Sequence, residues 1–197
     1  MLKIGITGGI GSGKSTIAKI FEVIGIPIYN ADDAAKRLMN EKEELKNQIL
    51  LHFGNESYNQ GILNKKYIAS IVFNDPEKLA LLNSLVHPVT INDADEWIQK
   101  QTSPYIIKEA ALFFESGAHA HVDQIIGVYT PAPLRILRVM KRDNITRDEV
   151  LARMNKQIDE EIKMRLCDHV ITNNEQELVL PQVMKLHTLF LEQAKLS

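Results

Sequence analysis

A glycine-rich stretch at residues 5–16, GITGGIGSGKST, has the residue types of a phosphate-binding loop. It matches the pattern G-x-x-x-x-G-K-[ST] at every fixed position. Glycines let backbone N–H groups approach a phosphate chain, and the positive end of a following helix adds to the attraction. Lys14 can reach the β- and γ-phosphates, and the Ser15 hydroxyl can ligate Mg²⁺. The residues predicted to contact a nucleotide here are Gly8, Gly9, Gly11, Ser12, Gly13, Lys14, Ser15 and Thr16.

Two adjacent aspartates, Asp32 and Asp33, follow the second predicted strand. Ligands bind at the carboxyl ends of the strands in open α/β folds, and a kinase needs a carboxylate that orients its acceptor hydroxyl. Either aspartate could do this. The alternative is that one of them, or Asn30, only caps the next helix. Position alone does not separate the two interpretations.

The stretch 133–157 is dense in arginine and predicts a helical lid over the phosphates. Arg138 and Arg142 are four residues apart and therefore share a helix face. The guanidinium group can hold phosphoryl oxygens while charge builds up in a transition state. The alternative is a solvated helix with salt bridges, to which Asp143 and Glu149 would contribute. We favour the lid.

The elements that must position these residues alternate between strand and helix, which is typical of a parallel sheet with crossover helices. Helical periodicity dominates residues 42–102, and a closing helix contains Pro181, where we expect an irregular start or a kink. The predicted fold class is α/β, a three-layer P-loop NTPase core with residues 42–102 as a helical insertion. The predicted strands lie within 2–7, 26–31, 103–115, 123–130 and 168–174, and the other predicted helices within 14–25 and 32–54. The core therefore comprises residues 1–41 and 103–197.

Composition narrows the class of protein. A formal net charge of −2 over 197 residues argues against a nucleic-acid partner. Cys167 is the only cysteine, which suits a reducing compartment. We expect neither a signal peptide nor a membrane span, and we predict a cytoplasmic monomer or weak homo-oligomer. A GTPase is disfavoured because neither Asn-Lys pair continues as N-K-x-D.

Six segments spread along essentially the whole chain resemble the dephospho-coenzyme A kinase family. They are TGGIGSGKST, YNADDAAKRL, FNDPEKLALLNSLVHPVT, ALFFESG, RILRVMKRD and ITNN. Together these motifs are highly specific for the family. Apart from the loop, none of them would be specific on its own. The resemblance implies ATP-dependent phosphorylation of the ribose 3′-hydroxyl of dephospho-coenzyme A, with Mg²⁺.

The same resemblance implies roles for individual residues. Asp32 falls on the second aspartate of the family motif, which would act as the base for the acceptor hydroxyl, while Arg138 and Arg142 would close over the transferring phosphoryl group. Asn173 or Asn174 would lie near the adenine of ATP. The residues implied to bind the acceptor are His87, Lys65 and Lys66.

The chain departs from the family pattern at three places, one of which is the charged pair Lys108-Glu109 in an otherwise apolar strand. Asn30 replaces an aspartate, and Ala111 replaces a proline. Glu109 lies where many relatives have an acid, so it could serve the metal through water, or it could lie at an exposed strand end. Two other interpretations remain open: another P-loop small-molecule kinase, such as a nucleoside monophosphate kinase, and a non-catalytic ATP-binding module.

Overall fold

A computed structural model describes residues 1–73 and 75–196 of the chain. The strands are β1 Leu2–Thr7, β2 Ile28–Asn30, β3 Tyr58–Asn59, β4 Ile62–Leu63, β5 Tyr105–Glu109, β6 Gln124–Tyr129 and β7 His169–Thr172. The helices are α1 Lys14–Val23, α2 Ala31–Glu41, α3 Glu43–Phe53, α4 Lys65–Val72, α5 Pro76–Gln99, α6 Ala132–Asp143, α7 Arg147–Met154, α8 Glu160–Arg165 and α9 Val179–Ala194.

In the described residues, the main sheet has the strand order β2-β5-β1-β6-β7, and every neighbouring pair is parallel. Its central strands are nearly continuous apolar runs because helices cover the sheet. Helices α1 and α9 pack on the sheet and share its core, which includes Ile4, Ile17, Phe21, Val183 and Phe190. The predicted α/β fold with a parallel sheet is confirmed.

The segment predicted as one helical run over 32–54 is two helices. Lys42 has extended backbone angles (φ −84°, ψ 108°) and separates α2 from α3. The predicted stop at Gly54 is confirmed, because α3 ends at Phe53 and Gly54 has a positive φ of 86°. Pro181 lies within the first turn of α9, where its missing N–H would have no partner inside the helix.

The chain forms two compact units, Met1–Asn30 together with the chain from Gln101 onward, and Ala31–Lys100. The first unit contains the sheet. The second unit is mainly helical, with a short β3–β4 hairpin, and has its own apolar core. It begins before the predicted boundary at residue 42, because α2 packs against α3 and α5. Arg37 of α2 also forms a bidentate ion pair with Asp93 of α5 at 2.7–2.8 Å. In the described part of the chain, none of the helices combines the length and apolar character that a membrane span requires.

Candidate functional site

The phosphate-binding loop connects β1 to α1 at the carboxyl end of the central strand. Gly11 and Gly13 have φ values of 81° and 88°, a left-handed conformation that glycine adopts without strain. The N–H of Ser12 donates to the carbonyl oxygen of Gly9 at 3.0 Å and closes the turn between them. The two glycines therefore set the path by which the chain enters α1.

Gly9 has a different reason to be glycine. A Cβ on Gly9 would overlap Nη1 of Arg135 and Oε2 of Glu160, and it would lie 2.8 Å from Arg135 Cζ. These two side chains form an ion pair at 2.5 Å, and the Arg135 and Glu160 side chains are only 6% and 14% exposed. The loop therefore packs directly on a buried ion pair.

Side chains from distant elements hold the loop. Thr130 Oγ1 and Asn173 Nδ2 both donate to the carbonyl oxygen of Ser12, at 2.9 and 2.8 Å. The N–H of Ile10 donates to Oε1 of Gln157 at 2.8 Å. Thr130 and Asn173 directly follow β6 and β7, so the loop is fixed from two neighbouring strand ends.

Glu109, at the end of β5, connects the functional side chains at the carboxyl edge of the sheet. Its Oε1 lies 3.3 Å from Lys14 Nζ and accepts a hydrogen bond from Ser15 Oγ at 2.5 Å. Its Oε2 accepts one from Asn30 Nδ2 at 3.1 Å. Glu109 is 4% exposed, so the alternative of an exposed strand end is wrong. The Asn30 amide donates a hydrogen bond that an ionised aspartate could not donate.

The two predicted lid arginines have different surroundings. Arg138 Nη2 pairs with Glu175 at 3.0 Å, and the guanidinium also makes long 3.5 Å contacts with Thr130 Oγ1 and the Asn173 carbonyl oxygen. Arg142 is exposed and pairs with Asp143 at 2.7 Å, as the salt-bridge alternative anticipates. The hydrogen bond from Arg142 lowers the pKa of Asp143. The structure thus brings Arg138, but not Arg142, into contact with residues that hold the loop.

The predicted acceptor residues lie in the Ala31–Lys100 unit. Asp32 is exposed in the first turn of α2, while its neighbour Asp33 pairs with Lys36 at 2.7 Å. Lys65 is the exposed first residue of α4, and His87 is half-buried within α5, where burial lowers its pKa. Their roles in acceptor binding stay predictions.

Three residues that contact the loop or hold its neighbours were not predicted from the sequence: Thr130, Gln157 and Lys163. Thr130 could have been found, since it directly follows a parallel strand, just as Asn30 and Glu109 end theirs. Gln157 and Lys163 carry no local signal, because their partners are far away in the sequence.

A glycine-rich loop of this geometry, at the head of a parallel sheet and followed by a helix, defines a P-loop fold. The shikimate kinase of Acinetobacter baumannii has this fold at 16% identity, with a TM-score of 0.57 over 98% of this chain and 94% of that one. A solved structure of TT1252 from Thermus thermophilus is 33% identical, with a TM-score of 0.82 over 98% and 97% of the two chains. Dephospho-CoA kinase from Campylobacter jejuni is 28% identical, with a TM-score of 0.68 over the same shares.

The particular family follows from the sequence comparisons. The model of the family CoaE, dephospho-CoA kinase, matches residues 2–178. A dephospho-CoA kinase of Bacteroides fragilis is 33% identical over 94% of this chain and 91% of that protein. One of Staphylococcus aureus is 35% identical over 91% and 88%. The chain belongs to the dephospho-CoA kinase family, whose activity is the ATP-dependent conversion of dephospho-CoA to CoA.

Proposed function

We propose that the chain transfers the γ-phosphoryl group of ATP to the ribose 3′-hydroxyl of dephospho-CoA, using the phosphate-binding loop and the residues around Glu109. The hydroxyl oxygen forms a bond to the γ-phosphorus, and the bond from that phosphorus to the bridging oxygen breaks. ADP leaves with the bridging oxygen. The observation that carries the proposal is the Lys14–Glu109–Ser15 cluster directly behind the loop.

We assign the ATP phosphates to residues 8–16. Backbone N–H groups of the loop and the positive end of α1 would hold the phosphate oxygens. Lys14 would neutralise charge on the β- and γ-phosphates, since its ammonium group is a mobile point charge. Its present partner, Glu109, is near enough at 3.3 Å to orient it.

The residues around Ser15 fit a Mg²⁺ ion. The Ser15 hydroxyl and the Glu109 carboxylate bring two oxygen ligands to one place, and Mg²⁺ prefers few protein oxygens together with phosphates and water. No group of three or more His, Cys, Asp or Glu side chains among the described residues could hold a metal ion. Ser15 would ligate Mg²⁺ directly and Glu109 would act through water. When bound, the ion would neutralise charge that develops on the phosphoryl oxygens.

We propose Asp32 as the base that orients the acceptor hydroxyl and takes its proton. Its carboxylate is exposed, so it is available to a ligand. Asp33 makes a surface ion pair with Lys36. The two neighbours therefore serve as a matched pair of test positions.

The remaining residues assigned to the phosphoryl donor, ATP, are Arg138, Arg142 and Asn173. We propose that the two arginines close over the phosphoryl group and exclude water, and that Asn173 lies near the adenine. The contacts of Arg138 with the Thr130–Asn173 neighbourhood support its role. Arg142 would have to exchange its partner Asp143 for a phosphate.

Acceptor binding is assigned to the helical segment 42–102, with His87 and Lys65 as contacts. We also propose that the protein acts in the cytoplasm, as a monomer or weak homo-oligomer and without a nucleic-acid partner. The single cysteine and the net charge of −2 support this assignment.

The test is ADP formation by the purified protein with Mg²⁺, ATP and dephospho-CoA, beside Asp32→Asn and the control Asp33→Asn. A general base contributes about 10²- to 10⁴-fold, so we expect Asp32→Asn to lose at least about 100-fold in kcat and Asp33→Asn less than about threefold. If Asp32→Asn is as active as Asp33→Asn, Asp32 is not the base. A wild-type protein that forms ADP equally well without acceptor would overturn the kinase assignment.

An activity assay with several acceptors distinguishes dephospho-CoA kinase activity from that of another small-molecule kinase. A nucleoside monophosphate kinase would turn over its own acceptor better than dephospho-CoA, and a non-catalytic module would bind ATP without acceptor-dependent turnover. The family match over residues 2–178 disfavours both.

A further inference from the structure

The tip of the phosphate-binding loop is held by a side chain that lies far away in the sequence. The N–H of Ile10 donates to the side-chain oxygen of Gln157, at 2.8 Å and 147 residues away. Gln157 is half-buried and follows α7, at the end of the segment 133–157. The N–H of Ile10 is thus hydrogen-bonded within the protein.

The segment that carries Gln157 is itself anchored. The next N–H, that of Ile158, donates to Oε1 of Glu115 at 3.0 Å. The same oxygen lies 3.1 Å from Nζ of Lys163, which is fully buried. Lys163 also reaches the carbonyl oxygen of Ala111 at 3.4 Å, so the segment is tied to the chain just after β5.

A second contact from this region reaches the neighbouring loop residue. Arg135 Nη1 and Glu160 Oε2 lie where a Cβ of Gly9 would be. Arg135 Nη1 donates to Glu160 Oε2, whereas the buried atoms Arg135 Nε and Glu160 Oε1 have no hydrogen-bond partner in the described residues. Gly9 and Ile10 are therefore both constrained, Ile10 by Gln157 and Gly9 by the Arg135–Glu160 pair.

We infer that Gln157 is a positioning residue, which keeps the phosphate-binding loop in its ATP-binding shape through the N–H of Ile10. The loop tip lies outside the strands and helices, so one side-chain hydrogen bond fixes the peptide between Gly9 and Ile10. Because Gln157 ends the arginine-rich segment, the shape of the loop depends on that segment being docked. This inference rests on the proposed role of residues 8–16 in holding ATP.

The first experiment measures the dissociation constant of ATP by calorimetry, without acceptor, for wild type and Gln157→Met. Methionine has a similar length but removes the acceptor oxygen, and one hydrogen bond corresponds to a ratio of about 3- to 10-fold. We expect ATP to bind weaker by that factor and the KM for dephospho-CoA to change less than about twofold. Asn40→Leu is the control, because Asn40 accepts the N–H of Leu63 at the same 2.8 Å in the other unit. We expect it to leave ATP binding unchanged.

The second experiment follows amide hydrogen exchange at Ile10. In wild type we expect the amide to exchange at least about tenfold more slowly than in Gln157→Met, with protection restored in Gln157→Glu, which keeps an acceptor oxygen. An unprotected Ile10 amide in wild type overturns the inference even if the methionine variant fails to fold. A folded Gln157→Met that binds ATP as wild type does overturns it as well. Wild-type protein that does not bind ATP contradicts the proposed function instead.

Discussion

Replacing Gly9 by alanine adds one methyl group where the phosphate-binding loop touches the buried Arg135–Glu160 pair. The φ of Gly9 lies outside the left-handed region, so its backbone conformation is open to alanine. The new Cβ would overlap atoms of both charged groups. Either the loop or the ion pair must move, and both are packed.

The structure sets the size of the effect. The Arg135 and Glu160 side chains are 6% and 14% exposed, and breaking a buried pair by displacing one partner costs about 3–5 kcal/mol. We expect Gly9→Ala to lower the free energy of unfolding by about 3 kcal/mol, at the lower end because the guanidinium can shift slightly. In a chain of this size, that loss corresponds to a fall in Tm of about 6–12 °C.

The assay is urea unfolding followed by circular dichroism, repeated in an Arg135→Met/Glu160→Gln background. Methionine is flexible and uncharged, so it can yield to the added methyl group. We expect Gly9→Ala to cost about 1 kcal/mol or less there, a coupling of about 2 kcal/mol. If the cost of Gly9→Ala is the same in both backgrounds, contact with the Arg135–Glu160 pair is not the reason that alanine is unfavourable at this position.

Three further predictions concern single groups. Burial alone would raise the pKa of Glu115, but backbone hydrogen bonds and Lys163 lower it below its ordinary 4.5. Its stabilising contribution is therefore complete above pH 4.5 and lost as the pH falls through the lower folded-state pKa. The difference in unfolding free energy between wild type and Glu115→Gln should be about 3 kcal/mol at pH 7 and should shrink towards pH 3. Asn173→Asp replaces a donor by an anion opposite the Ser12 carbonyl oxygen, so the KM for ATP should rise about tenfold in steady-state assays, with that for dephospho-CoA nearly unchanged. Burial raises the pKa of the Cys167 thiol to about 12, so Ellman's reagent at pH 8 should react at least about 100-fold slower with native than with unfolded protein; equal rates would contradict the burial.

Local patterns predicted the local structure of this chain well. Strand β1, the loop, helix α1 and the later strands follow from apolar runs, glycine positions and the alternation of elements, which are properties of neighbouring residues. The break at Lys42 was missed, because the apolar periodicity continues across it and no glycine or proline marks it. The sequence predicted a parallel sheet, but it did not predict that β1 pairs with β5 and β6.

The candidate site was predictable in its types of residue but not in its contacts. Lys14 and Ser15 follow from the motif, whereas the sequence does not decide between a buried and an exposed position for their common partner Glu109. Gln157 could not be predicted, because a hydrogen bond across 147 residues depends on tertiary packing and leaves no periodic trace. The requirement for glycine at position 9 could not be predicted either, because it comes from contact with Arg135 and Glu160, which are distant in the sequence.

The strand order of the sheet limits the order in which parts of the chain can fold during synthesis. Leu2 of β1 pairs with Tyr105 of β5, so at about 5–20 residues per second a ribosome needs about 5–20 s between the two. Residues 31–100 are continuous and have their own apolar core, so they can become compact while the first strands wait without partners. Gln157 and Asn173, which fix the phosphate-binding loop, emerge later still. Strand β1 and the loop are thus synthesised before the residues that fix them, and the loop reaches its final form only after Asn173 has been added.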